Sequence, residues 1–310
     1  MPTYKKVLLF YNSQSGHSRL EKHRDMLESH FKALEINLQI IEVPKPQEVL
    51  KGMIDLAIEE GVTLFIAAGG DGTASMIGNP LIGTGAHLGI LPLGTGNTLA
   101  KELKIPVSFA KALETITADD PEVIQMDAFR LNGQYYLLNF SAGVTPQIMG
   151  GTESEEKKRF GLFAYFIHFF EQLLGLKRHR FEIEIDGKKM SFLASEILVT
   201  NSRSLGLDPL KWTDNVKIND GTLDLFVIRA ANIFDIISLT LSLFTKRQRK
   251  SPIVDSFQVK HHCCILSPSS LPTQADGDPI GETPVEIFVN PKSLNVIVGK
   301  SNLYEKKGNK

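Results

Sequence analysis

Apolar runs alternate with amphipathic stretches through the first 120 residues of the chain. Residues 4–11, 36–43, 62–68 and 87–93 are short runs rich in Val, Ile and Leu, which predict buried strands. Between them, apolar residues recur three and four positions apart, as they do in helices that cover a sheet. This alternation predicts an open, doubly wound α/β domain with a mostly parallel sheet.

From about Ile124 the pattern changes to strand after strand, with alternating apolar positions and turn signals between them. It predicts a second domain that is mainly an antiparallel β-sandwich, interrupted by helices at Phe160–Leu176 and Ile233–Phe244. We therefore place a first domain over residues 1–130 and a second over 131–292. The C-terminal segment, 293–310, can return to the first domain.

Composition narrows the class of protein. The 310 residues carry a formal net charge of -1, which provides no overall field to attract nucleic acid. The only two cysteines, Cys263 and Cys264, are neighbours and point to opposite faces of an extended chain, which favours free thiols in a reducing compartment. The longest apolar segment is shorter than the roughly 20 residues that cross a bilayer. We therefore expect a cytoplasmic protein.

Two glycine-rich loops follow consecutive predicted strands, GGDGT at Gly69–Thr73 and LGTGN at Leu93–Asn97. Either loop alone can be a plain tight turn. Together they lie where open α/β folds bind ligands, at the carboxyl ends of strands. Glycines let the backbone approach phosphates, Asp71 can hold magnesium through water, and the helix beginning at Thr98 points its amides at an anion. The chain has no G-x-x-x-x-G-K-[ST] loop, so it is not a P-loop enzyme.

Seven strings in order resemble the bacterial diacylglycerol kinase-like lipid kinases, relatives of the sphingosine and ceramide kinases. They are YNSQSG, GGDGT, LPLGTGN, NFSAG, KKRFGLFAY, DGTLDLFVI and QADGDPIGETPVEI. The resemblance implies an ATP-dependent lipid kinase that phosphorylates a lipid hydroxyl, such as that of diacylglycerol, in phospholipid biosynthesis. It also implies magnesium as a cofactor.

The resemblance further implies which residues bind these cofactors. The metal would be held by Asp220 and the backbone carbonyls of Lys217 and Thr222, linked through water to Asp127. The nucleotide would contact Asn12, Ser13, Gln14, Ser15, Gly16, Gly69, Gly70, Asp71, Gly72, Thr73, Gly94, Thr95, Gly96 and Asn97.

Asp71 and the DGD string supply the candidate catalytic carboxylates. One of Asp276 and Asp278 should be the general base that takes the proton from the lipid hydroxyl. Asp278 stands where the resembled family usually carries glutamate, and Asp276 precedes it by two residues. In a strand-like loop both could lie on one face, so the sequence leaves the choice open.

Three positions depart from the resembled pattern. Ser13 and His17 replace a proline and a lysine in the first loop, and Thr98 stands where an aspartate usually follows GTxN. Two alternative functions therefore stay open, an NAD kinase-type enzyme and a nucleotide- or lipid-binding regulator with weak activity.

The expected partner is a lipid substrate at the membrane surface. Basic runs at 157–159, 177–180 and 246–250 suit peripheral contact with anionic lipids at the inner face of the membrane. No nucleic acid is expected, and a homodimer stays open.

Overall fold

The computed structural model describes residues 4–12, 20–143, 177–202, 217–232, 234–235, 237–239 and 251–299. The chain divides into two compact units. Unit 1 comprises residues 1–126 and 292–310, and unit 2 comprises residues 127–291.

Unit 1 is built on a parallel sheet. Its strands are β1 (Lys6–Tyr11), β2 (Asn37–Glu42), β3 (Leu64–Gly69) and β4 (His87–Pro92), in the spatial order β2-β1-β3-β4. Each neighbouring pair is parallel. Every residue of β3 is buried, which agrees with its continuous apolar sequence and with a central place in the sheet.

Helices connect these strands. They are α1 (Arg24–Ala33), α2 (Gln47–Glu59), α3 (Asp71–Leu81), α4 (Thr98–Glu102) and α5 (Phe109–Ile116). Helix α5 illustrates the helical period, because its buried residues Phe109, Ala112, Leu113 and Ile116 form one stripe.

Unit 2 is a sandwich of antiparallel strands. One sheet has the order β12-β11-β10-β7-β14-β15, and the other runs from β16 through β13 and β8 to β9. The chain order is β5 (Val123–Leu131), β6 (Gln134–Tyr136), β7 (Asn139–Gly143), β8 (His179–Ile185), β9 (Lys188–Ala194), β10 (Glu196–Thr200), β11 (Leu223–Ile228), β12 (Val254–Val259), β13 (His262–Leu266), β14 (Pro272–Ala275), β15 (Asp278–Glu282) and β16 (Val285–Ile297).

The core of unit 2 is formed by inward-facing residues of both sheets. Phe140 and Val199 come from one sheet, and Phe181, Ile265 and Ile287 come from the other. Fully buried aromatic and β-branched residues at alternating positions are what an antiparallel sandwich requires.

Strand β16 belongs to both units. Its first residues pair antiparallel with β13 in unit 2, and Asn295 and Val296 pair parallel with β4 in unit 1. The sequence predicted two separate strands here, VEIFVN and SLNVIVG. They form the single strand β16 instead, within which Lys292, directly after Pro291, has a left-handed backbone with φ of 49°.

The predicted fold class is confirmed, with a mostly parallel α/β unit and a mainly antiparallel sandwich. The predicted helix Phe160–Leu176 lies outside the described residues, as does most of Ile233–Phe244. No helix among the described residues is long and apolar enough to cross a membrane. Cys263 and Cys264 are free thiols, and burial raises the pKa of Cys263 well above its usual range.

Candidate functional site

The two glycine loops leave neighbouring strands of unit 1 at the same edge of the sheet. Gly69 at the end of β3 lies opposite Pro92 at the end of β4. The backbone N–H groups of Leu93 and Gly94 both donate to the carbonyl oxygen of Gly69, at 2.9 and 3.1 Å. The loops are therefore one hydrogen-bonded structure, at the edge where α/β sheets bind ligands.

Gly94 packs directly against the backbone of Gly70. A Cβ on Gly94 would overlap the Cα of Gly70 and lie 2.9 Å from Asn97 Oδ1. Position 94 therefore has no room for a side chain. Contact between the two loops is enough to require glycine here, whatever ligand the loops hold.

Asp71 joins the first loop to the helix that follows the second. Its Oδ2 accepts a hydrogen bond from the N–H of Thr98 at 3.0 Å, and its Oδ1 accepts one from Leu99 at 2.8 Å. A carboxylate at a helix N-terminus satisfies amides that have no partner within the helix. Asp71 therefore holds α4 in place, a role that the sequence did not predict.

Asn97 closes the second loop on itself. Its Oδ1 accepts a hydrogen bond from the N–H of Gly94 at 2.9 Å, and its Nδ2 donates to the carbonyl oxygen of Gly94 at 2.9 Å. The residue is buried and has a left-handed backbone with φ of 50°. Asparagine tolerates that conformation better than most residues.

The other predicted nucleotide-binding residues are distributed around this edge. Asn12 directly follows β1, whose last residue, Tyr11, pairs with Ala68 of β3. Thr73 is buried, whereas Gly72 and Thr95 are exposed. Gly96 lies beside the Asp71 carboxylate. Ser13, Gln14, Ser15 and Gly16 lie outside the described residues.

In unit 2, Asp127 lies against the segment 217–222. The Asp127 carboxylate accepts a hydrogen bond from the N–H of Gly221 at 2.7 Å, and its own N–H donates to the carbonyl oxygen of Ile218 at 2.8 Å. Asp127 is fully buried. The fold therefore brings Asp127 together with the segment that contains Lys217, Asp220 and Thr222.

The oxygen atoms of this segment suit a hard cation such as magnesium, which prefers carboxylate, carbonyl and water ligands. Asp220 accepts hydrogen bonds from the N–H and the hydroxyl of Thr222, both on Oδ1, and Oδ2 is the oxygen that a cation would take. The described residues contain no cluster of three His, Cys, Asp or Glu side chains. A site made of one carboxylate and two carbonyls does not require such a cluster.

The DGD string forms a hairpin turn between β14 and β15. Asp276 lies in the turn with φ of 49°, and its carboxylate accepts hydrogen bonds from the N–H groups of Leu137, Leu138 and Asn139 at 2.8 to 3.0 Å. Asp278 is the first residue of β15 and is exposed. The structure thus shows that the two carboxylates, which the sequence left equivalent, have different environments.

The carboxyl group of Asp278 has an altered acidity. Although Asp278 is exposed as a whole residue, its carboxyl group is partly desolvated by surrounding protein atoms. This desolvation, and then the nearby negative charge of Asp276, raise the pKa of Asp278 above its usual value. The Tyr136 hydroxyl donates a hydrogen bond to Gln134, and the pKa of Tyr136 is raised by burial and then by the negative charges of Asp276 and Asp278. A raised pKa improves a carboxylate as a proton acceptor.

Two residues near this turn were not predicted from the sequence, Tyr136 and Gln274. Gln274 is buried on β14, donates to the side chains of Asn139 and Ser141, and accepts a hydrogen bond from Gly277. A polar residue two positions before Asp276 on a strand was a signal that could have identified Gln274.

Two family models together match most of the chain. Residues 6–128 match the model described as the diacylglycerol kinase catalytic domain. Residues 140–298 match the model described as the YegS C-terminal NAD kinase β-sandwich-like domain.

Similar proteins span comparable lengths. A "Probable lipid kinase YegS-like" of Enterobacter sp. is 30% identical over 304 residues, which cover 95% of this chain and 96% of that protein. A "Diacylglycerol kinase" of Bacillus subtilis is 29% identical over 236 residues, covering 75% and 77%. A crystal structure of a diacylglycerol kinase from Bacillus anthracis has a TM-score of 0.75 and 25% identity, covering 96% of this chain and 98% of that one.

Proposed function

Because the chain belongs to the diacylglycerol kinase-like lipid kinase family, we propose that it transfers the γ-phosphoryl group of ATP to a lipid hydroxyl, with diacylglycerol as the first acceptor to test. The observation that carries the proposal is the pair of glycine loops joined through Asp71 at one sheet edge. Such an edge binds phosphates through backbone amides.

Unit 1 holds ATP in this proposal. The backbone amides of the two loops and Thr95 contact the phosphates, and Asn12 lies at the same edge. Phosphoryl transfer depends mainly on positioning and on stabilisation of charge, which fixed amides provide. Because Asp71 and Asn97 fix the loops before ATP arrives, little ordering is left for binding to cost.

Asp278 is the general base. It takes the proton from the lipid hydroxyl as the oxygen attacks the γ-phosphorus, and the bond from that phosphorus to the bridging oxygen of ADP breaks. Asp276 is a poor candidate for this role, because its carboxylate already accepts three backbone hydrogen bonds.

Magnesium, when bound to the nucleotide, supplies positive charge to the phosphates. A second magnesium ion would be held by Asp220 with the carbonyl oxygens of Lys217 and Thr222. It would be linked through water to Asp127, whose carboxylate accepts a hydrogen bond from Gly221 in the same segment. Its positive charge would stabilise the segment 217–222.

The acceptor lies in a membrane, so the protein must reach a membrane surface. Lys177, Arg178 and Arg180 are exposed and basic, and each basic side chain near an anionic surface contributes about 1 kcal/mol. The other two basic runs, 157–159 and 246–250, lie outside the described residues. Co-sedimentation with anionic and neutral vesicles, before and after charge reversal at 177–180, tests this contact.

Incubation of the protein with labelled ATP, magnesium and a lipid panel tests the proposed reaction. The panel contains diacylglycerol, phosphatidylglycerol and a sphingoid base, and a parallel sample contains NAD. We expect a labelled phosphorylated lipid from the wild type and about 100- to 10,000-fold less of it from Asp278→Asn. Labelled NADP would favour the NAD kinase alternative, and ATP binding without transfer to any lipid would favour a regulator.

A further inference from the structure

Unit 2 contains the same Asp–Gly turn twice, once in each sheet of the sandwich. Asp276 and Gly277 join β14 to β15, and Asp186 and Gly187 join β8 to β9. The φ angles are 49° and 94° in the first turn and 48° and 84° in the second. Two positive φ angles in a two-residue loop are typical of the type I′ turn, whose twist matches that of the flanking strands.

The Asp276 turn is tied to the chain just before β7. Oδ2 of Asp276 accepts a hydrogen bond from the N–H of Leu137 at 2.8 Å. Its Oδ1 accepts from Leu138 and Asn139, at 2.9 and 3.0 Å. The N–H of Asp276 donates in return to the carbonyl oxygen of Asn139 at 2.9 Å.

The Asp186 turn repeats this arrangement just before β13. Oδ2 of Asp186 accepts a hydrogen bond from the backbone N–H of Lys260 at 2.9 Å. Its Oδ1 accepts from the backbone N–H groups of His261 and His262, at 2.9 and 3.0 Å. The N–H of Asp186 donates to the carbonyl oxygen of His262 at 3.0 Å. The strands are also neighbours in the same order. In one sheet the order is β7, β14, β15, and in the other it is β13, β8, β9.

The residue that follows each turn is different. Asp278 pairs with Ala275 across the first turn, and Lys188 pairs with Ile185 at the same place in the second. The three hydrogen bonds from backbone N–H groups to the turn aspartate therefore form whether the residue after the turn is acidic or basic. Asp186 has these hydrogen bonds without any proposed role in catalysis. The hydrogen bonds of Asp276 therefore do not by themselves indicate a catalytic role.

A buried glutamine braces the first turn. Nε2 of Gln274 donates to Ser141 Oγ at 2.9 Å and to Asn139 Oδ1 at 3.2 Å, and its Oε1 accepts from the N–H of Gly277 at 2.9 Å. Glu184 has the equivalent place in the second turn, where it lies 3.7 Å from the Nζ of Lys189.

We propose that Asp276 and Gln274 are positioning residues for Asp278. Asp276 ties the turn to the start of β7, and Gln274 fixes the amide of the residue just before Asp278. This inference rests on the proposed lipid kinase activity. A general base must lie within hydrogen-bond reach of the proton that it takes, so the backbone that carries it has to be held firmly.

Asp276 has a second effect on Asp278, through its charge. Burial raises the pKa of Asp278, and the Asp276 carboxylate raises it further. The same two negative charges raise the pKa of Tyr136, and Gln274, Asn139 and Ser141 around the turn are uncharged. Removal of the Asp276 charge should therefore lower the pKa of Asp278.

The test compares four variants by kcat, by KM for ATP and for lipid, and by the pH dependence of kcat/KM. Asp276→Asn places an NH2 group against a backbone N–H donor, and Gln274→Met removes the hydrogen bonds of the glutamine without a change of charge. Asp278→Asn removes the proposed base. Asp186→Asn is the matched control. A misplacement of about 1 Å can cost about 100-fold in rate. We expect kcat to fall about 10- to 100-fold in Asp276→Asn and Gln274→Met, with KM for ATP unchanged. Asp186→Asn should keep the wild-type kcat.

The pH profile separates positioning from a merely structural role. The acid limb of kcat/KM should move to lower pH in Asp276→Asn and stay in place in Gln274→Met. Asp276→Asn as inactive as Asp278→Asn at every pH would overturn the inference. So would equal losses of kcat in Asp276→Asn and Asp186→Asn with an unmoved acid limb.

A measurement without activity keeps the inference separate from the proposed function. If the wild type phosphorylates no lipid, the proposed function fails. Carbon-detected NMR titration of the Asp278 carboxyl then decides the electrostatic coupling. The titration midpoint of Asp278 should move to lower pH in Asp276→Asn and stay in place in Asp186→Asn. Identical midpoints in the wild type and both variants would overturn the coupling of the turn to Asp278.

Discussion

The glycine loops of unit 1 and the Asp–Gly turn of unit 2 use their motif residues in different ways. In unit 1 the motif residues bind each other. Asp71 holds the amides of Thr98 and Leu99, and Asn97 closes the loop at Gly94. In unit 2, Asp276 binds the backbone in the same manner, whereas Asp278 beside it is exposed as the first residue of β15.

This difference shows that a motif contains two kinds of residue. One kind builds the surface that a ligand meets, and its loss should reduce stability and function together. The other kind is held ready by the first, and its loss should remove function alone. Four predictions test this division, beginning with the largest expected effect.

Asp278→Asn should abolish most of the lipid kinase activity and leave the fold intact. General-base catalysis contributes about 100- to 10,000-fold, so we expect kcat to fall within that range. Asp278→Glu keeps a carboxylate at this position and should retain part of the activity. Near-wild-type turnover by Asp278→Asn would remove Asp278 from the mechanism.

Gly94→Ala should weaken ATP binding and destabilise unit 1. The added Cβ overlaps the backbone of Gly70, and overpacking of this kind typically costs about 1 to 3 kcal/mol. We expect KM for ATP to rise by about tenfold or more, since about 1.4 kcal/mol corresponds to a factor of ten.

Gly52→Ala is the matched control for this change. Gly52 lies in α2, and a Cβ there would meet nothing within 4 Å. Alanine should stabilise the helix there by about 0.5 to 1 kcal/mol. Equal effects of the two substitutions on KM for ATP would contradict the contact between the loops.

Asp71→Asn should reduce stability and activity together. The asparagine oxygen can accept only one of the amides of Thr98 and Leu99, and its NH2 group opposes the other. Loss of one such hydrogen bond costs about 1 to 3 kcal/mol, which denaturant unfolding measures. Asp55→Asn is the control, because Asp55 pairs with Lys51 on the exposed face of α2, where such pairs contribute about 0.3 to 0.5 kcal/mol.

The pH dependence of stability should show the smallest effect. Its sign should be opposite for Asp278, whose pKa is raised, and Asp186, whose pKa is lowered. The pKa of Asp278 is raised in the folded state, so its stabilising contribution is complete below the unfolded pKa and is lost as pH rises through the folded value. Asp278→Asn should therefore be slightly more stable than the wild type at pH 7, by less than about 0.5 kcal/mol.

Asp186 gives the reverse sign. Burial opposes its ionisation, but hydrogen bonds from the amides of His262, Lys260 and His261 outweigh burial and lower the pKa of Asp186. Its contribution is present above the unfolded pKa and is lost as pH falls through the folded value. Asp186→Asn should thus be less stable at pH 7 and approach the wild type in acid. The same sign for both variants would contradict these environments.

Much of the fold could be predicted from the sequence, because hydrophobic periodicity depends on neighbouring residues. The strands before each glycine loop, the helix stripe of α5 and the change from α/β to antiparallel strands all follow from local pattern. Local pattern failed where tertiary contacts override it. VEIFVN and SLNVIVG join as β16, and the DGD string forms a hairpin rather than one extended segment.

The sequence by itself determined the glycine loops, their place after β3 and β4, and the family to which the motifs belong. Only the tertiary structure decided which residues of those motifs are already bound. The partners of Asp71 lie 27 and 28 residues away in the chain, and those of Asp276 lie 137 to 139 residues away. Hydrogen bonds over such separations exist only after the sheets assemble. For that reason the spacing of Asp276 and Asp278 could not show that the first supports the turn and that the second is exposed at the start of β15.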